Sequence, residues 1–283
     1  MTQRKTLYLI DGSSYIYRAF FAIRNLSNSR GLPTNAVYGF TRMLMKIIQE
    51  KSPDYVAVAF DVKGPTFRNE LYAEYKANRP EMPDDLKPQI PYIKRMVHGF
   101  GIPKIEMAGY EADDVLGTLA RRGEEKGLEV VLVSGDKDLL QLVTPHVKVY
   151  DTMKDEVYGE EEVKERFGVE PARVIEVMAL MGDSSDNIPG IPGIGQKTAV
   201  KLIQEHHDLE KLLAHADQIK GKMGEKIREN QDLARLSKRL VTIDTSLPLP
   251  LKIEDFKYDE PRLENLMELI RELEFTSLLK EFS

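Results

Sequence analysis

The sequence has no cysteine. That removes disulfides, thiolate metal sites and a cysteine nucleophile from consideration. It has no run of about 18 apolar residues, so no membrane span is expected. It has no low-complexity segment. The opening "MTQRKTLYLIDGSS" passes straight into a strand pattern without a signal-peptide cleavage region. These absences suit a globular protein of a reducing cytoplasm. What is present is ordinary in amount: 283 residues, 42% hydrophobic and 30% charged, enough for one large domain or two modest ones.

Four segments read as buried strands: "TLYLI" (6–10), "YVAVAF" (55–60), "IPKIE" (102–106) and "EVVLV" (129–133). Helical patterns lie between them at 34–51, 86–101 and 112–127, with Gly101 and Gly127 at the expected C-terminal positions. Strands alternating with helices predict an α/β fold, a parallel sheet with helices on both faces. This region is placed at residues 1–165, closing with a short edge hairpin near 146–159. Residues 166–283 carry repeated 3.6-period stripes and are expected to form a mostly helical subdomain.

Acids follow the strands. Asp11 follows the first, Asp61 the second, and Asp136 and Asp138 follow "EVVLVSG"; "IPKIE" leads into Glu111, Asp113 and Asp114. In a parallel sheet these tips share one edge, where ligand sites form. Each acid alone has a plain reading as a cap, a turn residue or a favourable charge in a helix's first turn. Together, seven carboxylates from four segments would repel one another unless cations lie between them. No histidine accompanies them, and all-oxygen sites suit hard ions such as Mg²⁺ or Mn²⁺. Seven acids exceed the needs of one Mg²⁺ but suit two, the clamp used in phosphoryl transfer.

"LMGDSSDNIPGIPGIGQKTAVKLI" (180–203) punctuates apolar residues with Gly190, Gly193 and Gly195 between two helical patterns. It reads as a helix–hairpin–helix at about 174–205. Glycines permit close approach to a phosphate, the next helix offers its N–H groups, and Lys197 adds charge. A connector between packed helices is the plain alternative. Asp183 and Asp186, just upstream, could extend the acidic cluster to nine; by spacing alone they could equally be turn residues. "GKMGEKIREN" (221–230) is a weaker echo, as consistent with a solvated basic helix as with a second phosphate contact. Residues 63–86 interleave Lys63, Arg68, Lys76 and Arg79 with Phe67, Tyr72 and Tyr75, a mixture suited to single-stranded nucleic acid. Arg18 in "YIYRAFFAI" is a further candidate phosphate contact.

The net charge of −6 seems to oppose a polyanionic partner. Setting the nine candidate ligands aside leaves 37 acids against 40 basic residues, a balance of +3. The face toward a polyanion need not be repulsive.

"LIDGSSYIYRAFFAI", "TNAVYGFTRML", "AFDVKGPTFRNELYAEYKANR", "YEADDVLGTLA", "VSGDKDLLQL" and "GDSSDNIPGIPGIGQKTA" resemble the bacterial 5′-nuclease domain of DNA polymerase I, in the flap endonuclease superfamily. The resemblance runs from about residue 5 to the end. It implies a PIN-like core with a helical arch at about 63–90, then the helix–hairpin–helix module. It implies divalent-metal-dependent hydrolysis of DNA at 5′ ends and flap junctions, RNA-primed strands included. By motif match, Asp11, Asp61, Glu111 and Asp113 would hold one ion. Asp113, Asp136, Asp138 and Asp183 would hold the second, with Asp114 and Asp186 nearby. Lys76 and Arg79 would contact the scissile phosphate, while Arg18, Arg68 and Tyr72 would hold the strand. Backbone carbonyls of Gly190, Ile191, Gly193 and Gly195 would bind K⁺. A bacterial, nucleoid-associated monomer is implied, either stand-alone or with a fused or associated DNA polymerase.

Three rival readings stand beside this one. An RNA-directed nuclease on the same sheet would lack the glycine hairpin and helical tail. A non-catalytic DNA-structure-binding module would have lost acidic ligands. A phosphatase with an aspartate nucleophile would need fewer acids.

Overall fold

A computed structural model describes residues 4–282. Six strands form one sheet: β1 (Thr6–Asp11), β2 (Tyr55–Phe60), β3 (Lys104–Glu106), β4 (Glu129–Val133), β5 (Val147–Asp151) and β6 (Glu156–Tyr158). Their order is β3-β2-β1-β4-β5-β6. The first five run parallel, and β6 pairs antiparallel with β5 as the edge hairpin. The central strands bury both faces, which explains their continuous apolar runs. In β1, Leu7 and Leu9 face one core while Tyr8 and Ile10 face the other. β3 starts two residues later than its apolar run, because Pro103 has no N–H to donate to the ladder.

Helices within the strand region are α1 (Gly12–Ala22), α2 (Asn35–Lys46), α3 (Phe67–Leu71), α4 (Ile90–Gly99) and α5 (Ala112–Glu125). The later ones are α6 (Glu160–Phe167), α7 (Val174–Met181), α8 (Gln196–His206), α9 (Leu209–Ala214), α10 (Gly221–Glu229), α11 (Gln231–Val241), α12 (Leu263–Glu272) and α13 (Thr276–Glu281). The pattern over 34–51 divides: α2 ends at Lys46 and one π-helical turn, Ile47–Lys51, finishes it. Among the described residues no helix is long and apolar enough to cross a membrane.

One face of the sheet packs on α5, and that core continues into α7, α8, α9 and α11. The other face packs on α1, α2 and α4. Two expectations need correction here. The segment expected as a helical arch is mostly turns: between residues 63 and 86 only Phe67–Leu71 is α-helical. Pro65, Pro80 and Pro83 remove donors and prevent a continuous helix. Nor do all residues after 166 belong to one helical subdomain. Tyr258 N–H donates to the Asp54 carbonyl at 2.9 Å. Leu266, Leu269, Ile270 and Leu278 of α12 and α13 are buried in the same core as Phe40 and Phe100. The end of the chain thus returns to the α/β region.

Candidate active site

Five segments deliver acids to the carboxyl edge of the sheet, and short polar contacts fix each. Asp11 ends β1 and caps α1, its Oδ1 accepting from Ser14 N–H at 2.9 Å. Its Oδ2 accepts from the buried Ser134 hydroxyl at 2.7 Å. Ser134 Oγ in turn accepts from Asp136 N–H at 3.0 Å, and Asp136 Oδ1 accepts from Asp138 N–H at 3.0 Å. The "SGDKD" turn after β4 is therefore wound around Asp11. Asp61 N–H donates to Ser13 Oγ, and Asp61 Oδ1 accepts from Ala112 N–H, each at 2.8 Å. That pair ties the end of β2 to the starts of α1 and α5.

A cavity of about 300 Å³ opens among Asp11, Asp61, Glu111, Asp113, Asp136 and Asp186, with Arg18, Tyr17, Lys76 and Arg79 also on its wall. A roomier hollow of about 820 Å³ lies beside α11, but the strand-end acids meet in the smaller one. Burial raises the Asp11 pKa to about 7, helped by the charges of Asp61 and Asp136 and opposed by Ser14 and Ser134. Burial first, then neighbouring acids, push Asp113 and Asp138 well above the usual carboxylate range. Asp183 behaves oppositely: against its burial, Lys137 and Ser185 hold it low.

Cations from the chain answer part of this charge. Lys76 pairs with Glu111, Arg79 with Asp186, and Lys137 Nζ lies 2.8 Å from Asp183. The Tyr75 hydroxyl bridges Glu111 (3.0 Å) and Asp186 (3.3 Å). As these side chains stand, no three acids among the described residues are arranged to hold an ion. The donor set nevertheless fits one. It is all oxygen, and Asp138 Oδ1 is buried without a hydrogen-bond partner, which is costly unless something positive meets it. A hard divalent cation would do so once the lysines and Arg79 turn aside.

Several sequence-derived assignments change. Asp114 does not face the cluster. Its carboxylate is fully buried and forms a two-pronged pair with Arg68, at 2.7 and 2.8 Å. Arg68 also donates to the carbonyls of Leu240 and Thr242, each at 2.9 Å. Arg68 is 2% exposed, so it clamps α3, α5 and the end of α11 and is not presented to a strand. Tyr72 is half-buried against the apolar core. Arg18 lines the cavity but is oriented by Asp151 Oδ1 (2.9 Å) and the Gly135 carbonyl (3.2 Å). Gly190 is buried where two backbones cross: a Cβ there would lie 2.3 Å from Gly182 N. Its role is close packing, and Ile191 beside it is core. Gly193, Gly195 and Lys197 remain exposed on the hairpin. Lys226 Nζ lies 2.5 Å from where a Gly193 Cβ would stand, so the weaker glycine motif meets the stronger one.

Ser13, Tyr75, Ser134 and Lys137 belong to the site although no strand-end pattern marks them. Ser134 and Lys137 lie inside a quoted motif, and a lysine between two clustered acids is itself a signal of counter-charge. Tyr75 had only its place among basic residues to mark it.

Fold and cavity together define an α/β protein that gathers acids and cations where a parallel sheet takes its ligand. Residues 6–168 match the N-terminal resolvase-like domain of 5'-3' exonucleases, and residues 169–264 match their C-terminal SAM fold. A protein named 5'-3' exonuclease from Aquifex aeolicus is 46% identical over 98% of this chain and 95% of its own length. The DNA polymerase I of Caldicellulosiruptor bescii is 46% identical over 97% of this chain. The chain spans about a third of the length of that polymerase and others like it. A bacteriophage T5 flap endonuclease, solved as a pseudo-enzyme–product complex with DNA and metal ions, shares the fold. It has a TM-score of 0.72 and 22% identity, over 98% of this chain and 99% of that one. The chain belongs to the 5'-3' exonuclease family.

Proposed function

We propose that the chain hydrolyses DNA phosphodiesters at 5′ ends and flap junctions, RNA-primed strands included, with two divalent ions, Mg²⁺ or Mn²⁺. The observation that carries this reading is the meeting of acids from five segments in one cavity, with Asp138 Oδ1 buried and unpaired. Asp11, Asp61, Glu111 and Asp113 would hold one ion. Asp113, Asp136, Asp138 and Asp183 would hold the other, with Asp186 beside them. When bound, such ions supply a lowered pKa for the attacking water and offset negative charge on the phosphate. Lys76 and Arg79, on the cavity wall, then add positive charge where negative charge develops in the transition state. Arg18 holds a neighbouring phosphate, its guanidinium already oriented by Asp151. Tyr75 keeps Glu111 and Asp186 apart and aligned.

The exposed Gly193, Gly195 and Lys197 take duplex phosphates, which read position and not base sequence. K⁺ on the hairpin carbonyls is part of the same reading. There the Ile191 carbonyl already accepts from Ile194 N–H at 3.0 Å and the Gly195 carbonyl from Ala199 N–H at 2.9 Å, so a cation would share both with the backbone. Attachment to, or association with, a DNA polymerase is proposed from the length of the polymerase relatives.

The test is cleavage of a 5′-labelled DNA flap with Mg²⁺ and with EDTA, beside single-stranded RNA and a small phosphomonoester. Metal-dependent cutting near the flap junction is expected. Asp136→Ala and Asp138→Ala should each slow it by about a hundredfold or more while DNA is still bound. Binding without cutting would leave a DNA-binding module, and preference for RNA or the monoester would support those rivals.

A further inference from the structure

The turn bearing Lys76 and Arg79 is joined to the loop bearing Asp183 and Asp186 by two kinds of bond. One kind is ionic, from Lys76 and Arg79 to Asp186, Lys76 also pairing with Glu111 at the start of α5. The other is uncharged. Asn78 Nδ2 donates to the Ser184 carbonyl at 2.7 Å, and Asn187 Nδ2 donates to the Glu74 carbonyl at 2.6 Å. Between them, Lys76 N–H donates to the Asp186 carbonyl at 2.9 Å. The asparagines reach across in opposite directions, each to the other segment's backbone. Lys76 (φ 57°) and Asn187 (φ 56°) both hold left-handed backbone. Asparagine tolerates this and lysine does so less readily, so the turn is held against local preference.

The two kinds of bond respond differently when the site is used. A phosphate competes for Lys76 and Arg79, and a cation competes for Glu111 and Asp186. Nothing in that exchange competes for an amide donor on a backbone carbonyl. Both asparagine bonds are solvent-exposed, so they add little to global stability. Their geometric effect is larger, because a misplacement of about 1 Å at a reacting centre can cost a hundredfold in rate.

We propose that Asn78 and Asn187 are positioning residues. Their reciprocal bonds keep the Lys76–Arg79 turn docked on the Asp183–Asp186 loop while the charged side chains change partners. This rests on the reading that Lys76 and Arg79 act on the scissile phosphate.

The test is the double variant Asn78→Ala with Asn187→Gly, glycine being chosen because it accepts positive φ. Without DNA or metal, hydrogen exchange of a peptide covering 72–79 should quicken by about tenfold or more, with the melting temperature unchanged. In single-turnover flap cleavage the maximal rate should fall about tenfold to a hundredfold, with flap affinity and Ca²⁺ affinity little changed. Placed on a Lys76→Ala, Arg79→Ala background, the double variant should cause no further loss. Unchanged exchange would overturn the docking role. Faster exchange with full cleavage rate would overturn the positioning role. A wild-type chain that cuts no flap would overturn the nuclease reading beneath it, while the exchange result would still stand for the docking.

Discussion

Arg68 shows what a single side chain can conceal. It sits among basic and aromatic residues suited to gripping a strand, yet it is buried against Asp114 with carbonyls at its remaining donors. Removing one partner of such a pair leaves the other charge stranded and costs about 3–5 kcal/mol, whereas replacing both with apolar groups often costs far less. Arg68→Ala should therefore lower the melting temperature by at least about 6 °C, and Arg68→Met with Asp114→Leu by clearly less. Thermal denaturation of the metal-free chain checks this. If Arg68→Ala melts like wild type and loses only DNA affinity, the guanidinium belongs on the surface after all. The pairing was not legible because residues 46 apart meet only through the fold. The strand-end acids were legible because each follows its own strand, so the topology alone predicts that they converge.

The hairpin between α7 and α8 joins two helices through a glycine-rich turn. Its three glycines look alike in sequence, but their surroundings differ. At Gly190 a side chain would strike backbone; at Gly193 (φ 79°) it would meet the end of Lys226 and strain left-handed backbone; at Gly195 it would meet nothing within 4 Å. Gly190→Ala should cost roughly 2–3 kcal/mol and melt several degrees lower. Gly195→Val, at φ −91° and with nothing within 4 Å of its Cβ, should melt within a few degrees of wild type but bind duplex DNA about tenfold more weakly, its Ca²⁺ affinity unchanged. Equal melting for both would mean that the crossing at Gly190 is not close. The strands were readable from β-branched runs, and β2 and β4 fall where those runs lie. The helices after 166 were readable as helices, but a 3.6-period stripe says only that a face is covered, not by what. The stripes of α12 and α13 therefore group them with the helical subdomain, whereas their apolar faces complete the core of α2 and α4. The helical arch is implied by the resemblance alone; Pro65, Pro80 and Pro83 argue in the sequence itself against one long helix, and the segment is mostly turns.

For the molecule as a whole, the acidic cluster links stability to pH. An aspartate whose folded pKa is raised binds its proton in the native state at a pH where the unfolded chain has released it. For Asp11 that window runs from 3.8 to about 7, and Asp113 and Asp138 shift in the same sense. Stability of the metal-free chain should fall as pH rises through this window. Asp183, held low, acts oppositely only below the ordinary carboxylate range. Metal-free protein should thus melt lower at pH 8 than at pH 5.5. Added Mg²⁺ should raise the melting temperature more at pH 8, where the acids are charged. Equal Mg²⁺ shifts at both pH values would show that these carboxylates are not its ligands.

The return of α12 and α13 to the far side of the sheet bears on how the chain reaches its native state. Leu266, Leu269, Ile270 and Leu278 complete a core begun by Phe40 and Phe100, more than 150 residues earlier. During synthesis the part of the α2 and α4 faces that these residues cover stays open until α12 and α13 have emerged. Closing so long a loop is slow, and the waiting surface is prone to aggregate. The α/β half therefore cannot finish folding as an independent first step; its final packing depends on the arrival of the C-terminal helices.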